Sequence, residues 1–399
     1  MKKKILIVTP RSPFQGRGAD AEDRLSGVRW FINQGHEVRV ITKTMPNDIP
    51  FVLDAEKDIG IKIVSVPYKF NAERNIFQRA GRLMRRVIWP PFWDGAAFEY
   101  FDKEIQNVFR KELSDLTPDL VVFDYSYLWP LYALAIERNI PIVTRSINME
   151  PLHFLDEDGR SLLNYIRSIP KWISEFLISR KSTLVFAITP KEQKIYAMLG
   201  AHAKTLPLRG LPAKLSQRKS RTFTPIDEVR LGFAASTYNV AHNINALTFL
   251  IRHVMPLLRG ESKRYTLHFT GSKLPASFSA VPNQHIIYEG FVPSMADFWR
   301  RIDMAVVPSL FGAGMQQKVF EPLLFGVPTI TSPRAIAGYP FTEDEVLFAT
   351  SAAEYAQAIR MLSHDDTKRE LMSKRATALS EKIFSQDALD EVIIRNLPL

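Results

Sequence analysis

Residues 303–332 read DMAVVPSLFGAGMQQKVFEPLLFGVPTITS, and their order decides the fold. Ala305 to Val307 are short and apolar enough for a buried parallel strand, Gly312 and Gly314 permit a tight turn, and a helix is expected to start near Met315. Strand, glycine loop, helix and second strand make up the repeating unit of a doubly wound sheet, whose ligands sit beyond the strand C-termini. The amides of Gly314, Met315, Gln316 and Gln317 fall where the helix has not yet closed its hydrogen bonds, so the loop favours a phosphate. Lys318 and Glu321, three apart, share a helical face. A lysine suits a pyrophosphate and a carboxylate suits a pair of ribose hydroxyls, which makes an activated nucleotide the natural ligand. The same spacing also occurs as plain surface decoration.

Working outward, short apolar runs alternate with helical stretches on both sides. In the first half the expected strands are Ile5 to Thr9, Val38 to Thr42, Ile61 to Val66, Leu120 to Phe123, Ile142 to Thr144, Leu184 to Ile188 and Thr205 to Leu208. In the second they are Val229 to Ala234, Thr266 to Thr270, Ile286 to Tyr288, Met304 to Val307, Thr329 to Thr331 and Val346 to Ala349. Residues 209–227, RGLPAKLSQRKSRTFTPID, are basic, proline-containing and aperiodic, and read as a linker. The expected organisation is α/β: a Rossmann-like domain over 1–208, the linker, a second such domain over 228–380, and a C-terminal helix over 381–399 that returns to the first domain. The default ligand site is the cleft between the two sheets.

The chain of 399 residues has no cysteine, eight histidines and a formal charge of +10. Disulfides and thiolate metal sites are therefore excluded, and no HExxH spacing or other metal motif is present. No apolar run is long enough to span a bilayer, and MKKKILIVTP turns strand-like too soon for a secretory signal, so a cytoplasmic location is expected. The positive charge implies an anionic partner. Residues 67–93 interleave Lys69, Arg74, Arg79, Arg82, Arg85 and Arg86 with aromatic and aliphatic residues, and 162–181 form a second amphipathic stretch. Both suit an anionic lipid surface at the inner face of a membrane, or equally helices packed on their own domain. No nucleic-acid reading module accompanies the charge.

Gly16, Gly18 and Ala21 fit a dinucleotide-binding G-x-G-x-x-A, but six residues separate the first strand from Gly16 and the second strand ends without an acid for a ribose. That reading is rejected. Asp124 ends the strand LVVFD, a position that faces the ligand side of such a sheet, with a turn or capping role equally open. Arg145, Glu150 and His153 follow the next strand and rank below it. Lys273, after TLHFTGS, is a second phosphate candidate. Asn243 and Asn245 are read as helix caps.

The segment GAGMQQKVFEPLLFGVPTIT resembles the donor-site signature of family 4 glycosyltransferases, retaining enzymes of the GT-B fold. QGHEVRVIT, PDLVVFDYSYLWP, IPIVTRSINMEP and HNINALTFLIRHVMPLL resemble the same family in the expected order. The resemblance implies metal-independent transfer of a sugar from a nucleotide-diphosphate donor, which is a substrate rather than a cofactor, to a hydroxyl of a glycan or lipid-linked acceptor. It assigns Lys318, Glu321 and the amides of the glycine loop to the donor, Gly16, Arg17 and Gly18 to the phosphates or acceptor, and Asp124, Arg145, Glu150 and His153 to the acceptor. Two departures stand out: Ala313 replaces a Glu common in relatives, and GFAASTYNVAHN lacks their usual Arg and Lys. A non-catalytic scaffold that binds nucleotide, glycan or membrane, and a nucleotide-sugar epimerase, remain as alternatives.

Overall fold

The computed structural model describes residues 2–14, 18–68, 84, 94–278, 284–312 and 314–399. The chain divides into two units, Met1–Gly210 with Glu391–Leu399, and Leu211–Asp390.

The sheet of the first unit contains β1 (Lys4–Thr9), β2 (Glu37–Thr44), β3 (Lys62–Pro67), β4 (Leu120–Phe123), β5 (Ile142–Ser146), β6 (Leu184–Ala187) and β7 (Ala203–Thr205). Its order is β3-β2-β1-β4-β5-β6-β7, and every pairing is parallel. Ile5 to Val8 and Leu120 to Phe123 are buried on both faces, which explains their unbroken apolar character where an alternating pattern would mark a half-exposed strand. Two helices matter for the site: α1 (Ala19–Asn33), which follows β1, and α2 (Leu162–Lys181). The last expected strand of this unit sits earlier than predicted. Pro207 has no amide to offer, and the ladder ends where the Leu206 amide donates to the Ala187 carbonyl.

The sheet of the second unit has the order β10-β9-β8-β11-β12-β13, again parallel. Its strands are β8 (Glu228–Thr237), β9 (Arg264–Ser272), β10 (Ile286–Tyr288), β11 (Met304–Val307), β12 (Thr329–Thr331) and β13 (Leu347–Phe348). Helix α3 (Ala241–Phe249) follows β8 and α4 (Gln317–Leu324) follows β11, so both begin at the C-terminal edge of the two central neighbouring strands. Helix α5 (Gln386–Asn396) carries the chain into residues 391–399 of the first unit. There Ile393 and Leu397 complete a small apolar recess with Gly27, Trp30 and Phe31.

Candidate functional site

In the second unit, the loop after β11 runs to Gln316, so the helix begins at Gln317, two residues beyond the expected start. Gly314 adopts φ 75°, a left-handed conformation that a side chain would strain. Two guanidinium bonds brace the loop: Arg334 Nη1 donates to the Leu310 carbonyl at 2.8 Å and Nη2 to that of Gly312 at 3.0 Å. The Gln316 amide adds a third, to the Phe311 carbonyl at 3.3 Å. Two polar atoms here are left over, the buried hydroxyl of Ser309 and Oε1 of Gln316, neither with a partner among the described residues. Buried polar atoms without partners are uncommon in folded proteins, and these two border the amides proposed to hold a phosphate. Ala313 lies outside the described residues.

Helix α4 directs its charged pair to different neighbours. Lys318 Nζ donates to Asn243 Oδ1 at 2.8 Å and lies 5.7 Å from the centre of the Phe233 ring. Burial, with no carboxylate to offset it, lowers the lysine to about 7. Glu321, by contrast, is buried with both oxygens engaged: Trp299 Nε1 donates to Oε1 at 3.1 Å, Gln317 Nε2 to Oε2 at 2.8 Å, and Lys214 Nζ stands 3.4 Å from Oε2. The shared helical face therefore resolves into a cation held by α3 and a carboxylate held by Trp299, one turn of α4 and Lys214.

Asn243 is not a helix cap. Helix α3 begins at Ala241 with Val240 as its N-terminal flank, so Asn243 lies inside the first turn, where its amide donates to the Thr237 carbonyl at 2.8 Å and its carbonyl is left for Lys318. The sequence singled out this residue for the wrong reason. Ser309 and Arg334 were not singled out at all, since a serine and an arginine beside a loop carry no motif. Lys273, at φ 56°, is exposed and has no hydrogen bond or ion pair among the described residues.

In the first unit, Gly16 and Arg17 lie outside the described residues, while Gly18, at φ 119°, precedes α1. Asp124 immediately follows β4, its amide bonded to the Val8 carbonyl, but its side chain is enclosed and pairs with Arg209 Nη2 at 3.2 Å. Burial raises its carboxyl despite that arginine. Arg145, expected at the acceptor, is instead a buried structural cation. It grips Asp23 through Nε and Nη2, at 3.2 and 3.0 Å, and the carbonyls of Leu206 and Pro207. Arg209 clasps the same carboxylate with its amide at 2.7 Å and Nη2 at 2.8 Å. Burial would push Asp23 upward, but the two arginines overcome it and hold the carboxyl below its ordinary range. The Arg209 guanidinium lies against Gly27, where an added Cβ would meet Nη1 at 1.9 Å. Residue 209, read from sequence as the start of a linker, is thus part of the first unit's interior.

Glu150 accepts from the Tyr125 hydroxyl and from Lys171 Nζ at 3.3 Å. His153 Nε2 is 3.5 Å from Glu157, and its Nδ1 has no partner among the described residues. These two remain half-buried, whereas Asp124 and Arg145 are enclosed. Among the described residues, no group of three or more His, Asp or Glu is placed to hold a metal ion, and no helix is long and apolar enough to cross a membrane.

Residues 228–365 match the family model described as Glycosyl transferases group 1. No curated protein sequence matches the chain. Among solved structures, the chain is similar to Anabaena HepE in complex with UDP, at TM-score 0.63 and 13% identity over 99% of both chains. It is similar to a TarM variant of S. aureus in complex with fondaparinux, alpha-GlcNAc-glycerol and UDP, at TM-score 0.66 and 10% identity over 100% of both chains. A third is sucrose-phosphate synthase from Thermosynechococcus elongatus, at TM-score 0.68 and 12% identity over 99% of this chain and 98% of that one. The fold is therefore GT-B, with parallel sheets of seven and six strands.

Proposed function

We propose that this protein is a glycosyltransferase that moves a sugar from a nucleoside-diphosphate donor to a hydroxyl of a glycan or lipid-linked acceptor, with retention and without a metal. The observation that carries this reading is Lys318, a half-buried lysine held by a neutral amide beside a braced glycine loop, with no carboxylate to offset its desolvation. A cation buried without a carboxylate is costly, and an arriving diphosphate would supply the missing charge. In the proposed reaction the bond between the anomeric carbon and the diphosphate oxygen breaks, the acceptor oxygen bonds to that carbon on the same face, and the acceptor proton leaves with the diphosphate. Lys318, the amides of Gly314 to Gln316 and the Ser309 hydroxyl would stabilise the charge developing on the leaving group.

Glu321 would receive the ribose hydroxyls at Oε2, with the Gln317 amide and Lys214 shifting aside and Trp299 keeping Oε1 in place. Asp124 and Arg145 would support the strand ends, leaving Glu150 and His153 as the acceptor-side candidates. The similarity to the UDP complexes of HepE and TarM makes UDP the first nucleotide to try.

The experiment is thermal unfolding with UDP, GDP, ADP, CMP and their sugar conjugates, followed by product analysis. A ligand at about a hundred times its dissociation constant should add roughly 2.7 kcal/mol. One nucleotide should shift the midpoint of the native chain and fail to do so in Lys318→Met. If no nucleotide shifts it, the donor site is wrong and a non-catalytic scaffold is the better reading; donor turnover without acceptor would indicate an epimerase.

A further inference from the structure

Helix α2 is amphipathic in the reverse of the usual sense. The side chains it buries are mostly polar: Asn164, Ser168, Ser174, Glu175 and Ser179. They are held by hydrogen bonds. Ser174 Oγ donates to Asp94 at 3.0 Å, while the two oxygens of Glu175 accept from the hydroxyls of Ser126 at 2.9 Å and Tyr196 at 2.7 Å. The outward side is apolar. Leu162, Tyr165, Ile166, Ile169 and Phe176 are between 47% and 79% exposed, and at 3.6 residues per turn they fall on one stripe. Scattered exposed leucines are ordinary on a soluble protein, but a continuous stripe marks an interaction surface. The helix cannot roll to hide it without breaking the bonds beneath.

Charge identifies the occupant. Every exposed charged residue on this helix is a cation, namely Arg167, Arg180 and Lys181, and its single acid, Glu175, is buried. Arg180 lies 5.5 Å from the centre of the Phe176 ring, so a cation flanks the apolar stripe at its C-terminal end. A second copy of the chain docking through the same patch would bring a helix with no exposed acid against another of the same kind, leaving these cations without a counter-charge from it, since a two-fold interface pairs a patch with itself. An anionic bilayer meets both demands: acyl chains for the stripe and headgroups for the cations. We propose that α2 is a membrane-docking helix that lies in the plane of an anionic lipid surface. This does not depend on the transfer chemistry.

The test is co-sedimentation of the full chain with vesicles of phosphatidylcholine, with and without phosphatidylglycerol, and with the double variant Ile166→Asp, Ile169→Asp. Both side chains are exposed, so the variant should keep its circular dichroism, unfolding midpoint and nucleotide response. The native chain should bind the anionic vesicles and largely ignore the neutral ones, and the variant should lose binding by roughly tenfold or more. Equal binding to both vesicle types would overturn the proposal. So would undiminished binding by the variant, which would move the membrane contact elsewhere, the basic segment 67–93, most of which lies outside the described residues, being the next to vary. A dimer in gel filtration that the variant dissociates, without vesicle binding, would assign the face to a second copy.

Discussion

Asn243 and Lys318 are 75 residues apart in sequence, yet the Asn243 carbonyl oxygen lies 2.8 Å from the lysine nitrogen. An amide orients the lysine without neutralising it, and burial keeps the amine near about 7. Above that pH most of the apoprotein carries a neutral amine there. A bound diphosphate would restore the positive charge, so binding at pH 8 should take up about one proton. Calorimetry of the nucleotide that gives the thermal shift, in two buffers of different ionisation enthalpy, measures this directly; zero uptake would mean that Lys318 does not meet the phosphates.

The same lysine predicts a slope in stability. Its native value lies below the unfolded one of 10.5, so the unfolded chain binds more protons between about 7 and 10.5. Stability of the second unit should rise with pH across that window by up to about 1.4 kcal/mol per pH unit. Lys318→Met removes the titrating group and should flatten the slope in urea titrations at successive pH values.

Glu175 should act in the opposite direction. Burial raises it to about 8 from 4.5, so its contribution is full below 4.5 and lost as pH rises through 8. Glu175→Gln keeps an oxygen for Ser126 and the Glu150 amide, and gives Tyr196 a donor while that hydroxyl bonds Ser146. The variant should match the native stability near pH 5 and exceed it at pH 8 by about 1 kcal/mol or more. A variant less stable at both pH values would show that Glu175 is needed as an anion.

Asp23 stands between Arg145 and Arg209 with no solvent to replace it. Asp23→Asn leaves two buried guanidinium groups without their carboxylate and should cost about 3–5 kcal/mol in the first unit's unfolding transition. A cost below about 1 kcal/mol would mean that the arginines find other partners.

The parallel sheets were legible because buried strands such as ILIV, LVVF and MAVV leave no face for polar residues. Lys318 was legible because it stands in a recognisable loop and helix. Its partner was misread, since an asparagine early in a helix looks the same whether it caps the helix or reaches across to another strand's helix. Asp23 and Arg209 look like a surface acid and a linker cation until the fold encloses them together. For α2, the amphipathic period was visible, but not the side that faces inward. That choice depends on Asp94, Ser126 and Tyr196, which are remote in sequence.

The placement of residues 391–399 in the first unit has a consequence for the order of folding. During synthesis, residues 1–210 emerge first, but the wall formed by Ile393 and Leu397 is missing until all of 211–390 has been made. The second unit, encoded later as one uninterrupted segment, is thus free to finish before the first. A released chain that ends at residue 390 should already resist protease across the second unit while α1, whose Trp30 and Phe31 line the unfinished wall, is still cut.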